Sequence, residues 1–188
     1  MEEGPVKGEV VMSTRTESTG FEGMPISAVG GDYTLDRVEC DVGEIIENVL
    51  KKHDAERLKK HITFDAFSNL QGRVRLRADE RLIRIALSVL VDNAISNSPE
   101  DCAIEILMIK NRKCASIIVI DHGAGMQLER QREMFNGVDT EFAVARRIAE
   151  LHGGSINVLS LPGHGARFIF RLPLNEAEKD DSVMIWES

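Results

Sequence analysis

Asp121 ends a β-branched apolar run, Ile117 to Ile120, and Gly123 and Gly125 follow it within four residues. An acidic side chain at a buried strand end seeks a donor, and glycines beside it carry no Cβ to keep a flat ligand off the backbone. That combination is how a protein grips a flat, hydrogen-bonding base, so the run IIVIDHGAGM points to a nucleotide pocket. A strand followed by a glycine-rich turn is also often only a turn. The functional reading gains weight from two flanking segments, DERLIRIALSVLVDNAISNSPE before it and ARRIAELHGGSINVLSLPGHGARFIFRLPL after it.

The second candidate is Asn93. From Asp79 onward Leu82, Ile85, Ala86, Val89, Leu90 and Asn93 recur at intervals of three and four, so an amide shares a helix face with core residues. Two readings stand. Asn93 is either a helix-end amide bonding local backbone, or a neutral oxygen ligand completing the shell of a Mg²⁺ that otherwise holds waters and nucleotide phosphates. Asp92 beside it falls on a different face and reads as a solvated charge.

These residues need a scaffold. DVGEIIENVLKKHDAERLKKH spaces Ile45, Ile46, Val49, Leu50 and Leu58 as an amphipathic helix, started by Asp41 and Glu44 in a capping-box-like arrangement. ITFDAF and RVRLRA alternate as strands, and a second helix runs from Asp79 to about Asn97. AIEILMIK and CASIIVID, joined by the turn NRK, form a β-hairpin. A helix over EFAVARRIAELH stops at Gly153 and Gly154, and the strands SINVLS and ARFIFRL flank the turn LPGHG. Strand runs beside helix runs predict an α+β fold: a two-layer sandwich with a mixed, mostly antiparallel sheet covered on one face by helices. Residues 1–31, rich in Gly, Ser, Thr and Glu without a sustained period, read as a flexible leader or linker, residues 32–174 as the domain, and residues 175–188 as an acidic tail ending in an apolar cluster.

With 188 residues the chain can bury a core without metals or disulfides. A net charge of −8 and a pI of about 5.2 argue against a general electrostatic grip on nucleic acid or an anionic membrane, so any phosphate is held locally. Cys40, Cys102 and Cys114 are odd in number and lack metal spacing, which favours thiols in a reducing, cytoplasmic setting over a disulfide framework. No signal-like or membrane-spanning stretch is apparent, and no direct membrane insertion is expected.

The segments VLVDNAISNSPE, IDHGAGM and PGHGARFIFRLPL resemble the N box, first glycine box and last glycine box of the ATP-binding catalytic domain of sensor histidine kinases. That domain shares a superfamily, GHKL, with gyrase and mismatch-repair ATPases, and the resemblance covers roughly residues 38 to 174. It implies ATP and Mg²⁺ as ligands, with Asn93 holding the metal. Asp121 would accept from the adenine amino group, Gly123 and Gly125 would form backbone beside the base, and Gly163 and Gly165 would shape the turn behind the pocket. It also implies partners in two-component signalling: a response regulator, a partner histidine kinase, and oligomerisation through helices on another part or chain.

Departures from the family pattern cluster on the phosphate side. Four residues before Asn93, where active kinases carry a second Asn and related ATPases a Glu, stands Val89, which neither coordinates nor takes a proton. Three residues past Asn93 the usual cation is Ser96. Where the family places a longer mobile lid ending in three spaced glycines, whose amide N–H groups wrap the triphosphate, this chain reads GVDTEF. Gly137 remains, and Asp139 and Glu141 take the other two places. A carboxylate about 4 Å from phosphate costs on the order of 1 to 4 kcal/mol, enough for about a tenfold loss of affinity. The same acids also suit a helix start.

Three functions compete. A degenerate kinase domain, in effect a pseudokinase, would bind ATP or ADP weakly or not at all and dock a response regulator or another kinase, with Met184 to Trp186 as one candidate surface. A working domain would phosphorylate a His in trans through Asn93-bound Mg²⁺. A serine kinase of an anti-sigma system would use the same fold and need the same phosphate cradle. No phosphoacceptor is evident: His53 with Asp54 has the look of one, but its surroundings, KK and AERLKK, favour a solvated helix face. His152, before a glycine cap, would favour the negative helix end.

Overall fold

A computed structural model describes residues 34–68, 73–136 and 141–174. The proposed leader and acidic tail, Gly137 and Asp139 lie outside the described residues. The architecture is the expected α+β sandwich. Strands β2 (Thr63–Ser68), β4 (Ala103–Lys110), β5 (Cys114–Asp121), β6 (Ser155–Ser160) and β7 (Ala166–Pro173) form one sheet in the order β2-β4-β5-β7-β6. Only β2 and β4 run parallel; the remaining pairs are antiparallel. A separate two-stranded sheet pairs β1 (Val38–Asp41) with β3 (Arg75–Ala78). The strands predicted over ITFDAF and RVRLRA both form, but each finds its partner far along the chain rather than in the other. β1 had no signal, because VECD is too short to display a period of two.

The helices are α1 (Val42–Lys52), α2 (Asp54–Lys59), α3 (Glu80–Asn97), α4 (Leu128–Asn136) and α5 (Glu141–Leu151). Asp41 caps α1 as expected, its Oδ1 accepting from Gly43 N at 2.8 Å and Glu44 N at 3.4 Å. The core lies between these helices and one face of the sheet. Ile104, Ile106, Ile117, Val119, Phe168 and Phe170 point inward from alternate strand positions and meet Leu82, Ile83, Leu87 and Leu90 of α3, Ile45 and Val49 of α1, and Ile148 of α5. Burying each such side chain stabilises the fold by about 1.5–3 kcal/mol.

Three expectations are corrected. The first amphipathic helix breaks at His53, and Leu58 beyond the break is 58% exposed rather than part of the apolar face. His53 is not a solvated residue but is 4% exposed; its Nδ1 bonds Val49 O at 2.7 Å, and its Nε2 lies 3.0 Å from Asp92 Oδ1. Burial alone would depress the imidazolium, but the Asp92 hydrogen bond and the Val49 carbonyl outweigh it, so its pKa is raised. Asp92 is therefore the partner of a buried histidine, not simply a solvated charge. His152 is 3% exposed, donating from Nδ1 to Ile148 O at 2.7 Å and accepting at Nε2 from Asp79 N at 3.0 Å. As expected of its place before the glycine cap, it meets a carbonyl in the last turn of α5; burial lowers its pKa, and it does so as the neutral ring that accepts from Asp79 N.

The thiols are free, Cys40 buried and Cys102 and Cys114 partly so. Among the described residues no helix is long and apolar enough to cross a membrane.

Candidate functional site

A cavity of about 550 Å³ opens between the C-terminal half of α3, the end of β5, α4 and the start of α5. Asn93, Asn97, Asp121, Gly125, Arg130 and Phe142 are among its lining residues. Its size suits a small organic ligand.

Asp121 reaches this wall because β5 alternates: Ala115, Ile117 and Val119 enter the core, and the next inward position is Asp121, 2% exposed. Its Oδ1 accepts from Gly123 N at 3.0 Å and Ala166 N at 3.1 Å, which fixes the carboxyl plane. Its Oδ2 is buried and has no hydrogen-bond partner. Burial raises the Asp121 pKa, with the two backbone donors and nearby His122 opposing the rise. A buried acceptor without a donor costs about 1–3 kcal/mol. Such a cost is tolerated where a ligand supplies the donor.

The glycines permit the close packing behind this carboxyl. Gly125 adopts φ +68°, and a Cβ there would overlap the Leu161 carbonyl; Gly165 adopts φ +66°, and a Cβ would overlap the Asp121 carbonyl. Both positions need a residue that tolerates the left-handed region and has no side chain. Gly123 lies so close to the Asn97 carbonyl that a Cβ would collide with it. Ser160 Oγ accepts from Met126 N at 2.8 Å and donates to Gly165 O at 2.6 Å, tying the two glycine segments together.

Asn93 is half-buried on the cavity wall, one side of a local amide pair: Asn97 Nδ2 donates to Asn93 Oδ1 at 3.0 Å and to Asn93 O at 2.8 Å. The end of α3 that carries both is fastened by Lys60, whose Nζ donates to Ile95 O at 2.8 Å and to Ser96 O and Ser98 O at 3.0 Å. Val89 belongs to the core, 3% exposed, and Ser96 is exposed. Among the described residues no group of three or more His, Cys, Asp or Glu side chains could hold a metal.

After Met126, where the family pattern places a longer mobile lid, this chain forms α4, held to the sheet by Gln131 Nε2, which donates to Met126 O at 3.0 Å and Ser160 O at 2.8 Å. This helix brings Arg130 to the cavity, a cation that reading the asparagine helix alone did not provide. Glu141 is exposed as the first residue of α5 and is not among the lining residues. Of the expected site residues, the structure brings Asn93, Asp121 and Gly125 around one cavity, with Gly123 packed behind Asp121. Asn97, Arg130 and Phe142 were missed, although Asn97 stands one helical turn from Asn93 and so shares its face.

The sequence profile of the family described as histidine kinase-, DNA gyrase B-, and HSP90-like ATPase matches residues 78–176, more than half of the chain. The chain belongs to that ATPase family. Within it the resemblance is to histidine kinases. Sensor-like histidine kinase SenX3 of Mycobacterium tuberculosis is 30% identical over 169 residues, covering 81% of this chain and 40% of SenX3. The chain thus spans about two-fifths of the length of that curated relative. The catalytic domain of histidine kinase ThkA superposes with a TM-score of 0.67 at 26% identity, covering 73% of this chain and 96% of that one. ThkA in complex with the response regulator TrrA gives 0.68 at 24% identity, covering 77% and 44%, which speaks to the fold alone. In this histidine-kinase-type ATP-binding domain, Asp121, Gly125 and Asn93 line one cavity, and the position four residues before Asn93 is filled by the core residue Val89.

Proposed function

We propose that this domain binds the adenosine end of a nucleotide, holds the Mg²⁺-triphosphate end weakly, and works mainly by docking a signalling partner. The observation that carries the reading is the contrast between two polar groups lining the same cavity. Asp121 Oδ2 is buried without a partner, and the adenine amino group is a donor of the right kind for it. Asn93 Oδ1 already accepts from Asn97. Asn93 is the residue that would hold Mg²⁺ through its remaining lone pair, and the metal would supply charge neutralisation to the phosphates. A single neutral, hydrogen-bonded ligand fits such an ion poorly, and Val89 and Ser96 provide neither a second ligand nor a cation. Gly137 and Asp139 belong to this phosphate side of the reading. The partner class is a response regulator or another histidine kinase, the kind of complex in which ThkA was solved with TrrA.

Calorimetry with ADP and a non-hydrolysable ATP analogue, each with and without Mg²⁺, tests the proposal. Weak binding that tracks the adenosine moiety and gains less than about threefold from Mg²⁺ supports it. The competing reading, a working kinase domain that phosphorylates a His in trans, has one observation in its favour: Arg130 lines the cavity. Micromolar affinity that rises with Mg²⁺ and with the γ-phosphate, and falls on Arg130→Ala, would establish that reading instead.

A further inference from the structure

Among the described residues, the five-stranded sheet carries helices on one face only. On the other, strand register sets Leu107, Ile118 and Ile169 side by side across β4, β5 and β7, each only partly buried. Ile109 and Leu159 on the same face are 41% and 58% exposed. A contiguous apolar stripe of this sort marks a surface that something covers.

Positive charge borders the stripe. Arg167 and Arg171 stand on the same face of β7, and Arg171 joins Arg112 and Lys113 of the β4–β5 turn around a shallow basin. Among the described residues none of these four side chains pairs with a carboxylate. The chain leaves the sheet at this border, since Leu174 N donates to Lys113 O at 2.9 Å. The sequence that follows is acidic first, with Glu176, Glu178, Asp180 and Asp181, and apolar next, with Val183, Met184, Ile185 and Trp186.

We infer that residues 175–188 fold back across the open sheet face. The acidic residues lie over Arg112, Lys113 and Arg171, and Val183 to Trp186 rest on the stripe of Leu107, Ile118 and Ile169. The order of chemistry along the tail is the order met on leaving Leu174: cations first, then apolar surface. Distance is no obstacle. From Cys114 to Ile118 is about 13 Å along the strand, whereas nine extended residues reach about 30 Å. The inference stands apart from the nucleotide reading, because the open face and the cavity are different parts of the molecule.

Trp186 is the single tryptophan, so its fluorescence in the intact chain reports the tail directly. Docking predicts emission well to the blue of the urea-unfolded chain and acrylamide quenching reduced severalfold. Ile169→Asp, and separately the exposed triple reversal Arg112→Glu, Lys113→Glu, Arg171→Glu, should each shift emission to the red and restore quenching while far-ultraviolet circular dichroism stays native. Emission already matching the unfolded chain, or a shielded tryptophan that the triple reversal leaves unmoved, overturns the inference. Shielding that disappears on dilution would assign the stripe to a second copy of the chain, and the tail inference would fall.

Discussion

Replacing Asp121 by Asn separates the fold from the ligand at a single atom. The two backbone donors, Gly123 N and Ala166 N, can both be accepted by the amide oxygen in the place of Oδ1, at the 3.0 and 3.1 Å now observed. The other position changes from an unpartnered buried acceptor to an NH₂ donor, which would oppose the adenine amino group. A hydrogen bond to a charged group contributes about 1.5–3 kcal/mol, so loss of that contact predicts ADP binding weaker by roughly 10- to 150-fold. Stability should move the other way or not at all. Burial raises the Asp121 pKa, so the native state takes up a proton at higher pH than the unfolded chain does. The carboxylate therefore subtracts stability above its raised native pKa, and that penalty is relieved as pH falls through it. Asp121→Asn removes the penalty, so denaturant melts near neutral pH should show equal or higher stability, with less gain on acidification than the wild type shows. Asp121→Asn that binds ADP like wild type would refute the assignment of Oδ2 to the base. A variant that loses binding and stability together would show instead that the carboxylate matters for packing.

Two glycines with similar torsion make a paired test. Gly125→Ala, at φ +68° and overlapping the Leu161 carbonyl, should cost about 3 kcal/mol or more and abolish nucleotide binding. Gly163→Ala, at φ +81° but facing open space, should cost only the left-handed strain of about 1–2 kcal/mol in denaturant titrations, and equal costs would contradict the crowding argument. The two buried histidines should show opposite pH signatures. His152 has a lowered pKa, from burial first and the Arg37 charge, against Ile148 and Asp79, so its stabilisation is present above 6.5 and is lost as pH falls through the native value. His53 has a raised pKa, so its stabilisation is complete below 6.5 and lost as pH rises through the native value. The stability difference between wild type and His152→Gln should therefore shrink on going from pH 7.5 to 5.5, and that for His53→Gln should shrink in the reverse direction; parallel trends would sink the assignment.

Much of the fold was legible because it depends on periodicities that a chain cannot hide. The alternation in CASIIVID and ARFIFRL placed Ile117, Val119, Phe168 and Phe170 on one face, and the three-and-four spacing of Leu82, Ala86 and Leu90 placed α3 against them. What escaped was long-range or short. Pairing of β2 with β4 and of β3 with β1 leaves no local mark. The four residues of β1 carry no pattern, and at the break the His53 side chain is buried against Val49 O and Asp92, a contact that no helical wheel displays.

The site divides in the same way, and the division has a physical cause. In the proposed reading a base is met by one carboxyl at a strand end and by glycines that admit close backbone approach; both requirements are written as residue types at short spacing, so Asp121, Gly123 and Gly125 stand out as candidates in the sequence. Phosphate and metal are held by charge, and charge is supplied by whichever element arrives in space. The family position three residues past Asn93 is serine here, yet α4 delivers Arg130 to the same cavity, while Glu141, suspect by its place in the chain, is exposed at the start of α5. The electrostatic balance at the phosphate end thus differs from what the motif alone implies: Glu141 leaves the lining, and α4 adds Arg130 together with an acid of its own, Glu133. The surviving argument for weak Mg²⁺ binding rests on Asn93 and Asn97. If the Asn97 amide competes with the metal for Asn93 Oδ1, then Asn97→Ala frees that oxygen and should strengthen Mg²⁺-dependent nucleotide binding. An unchanged dependence on Mg²⁺ in that variant would remove the amide pair as the cause and leave Val89 as the missing ligand to restore.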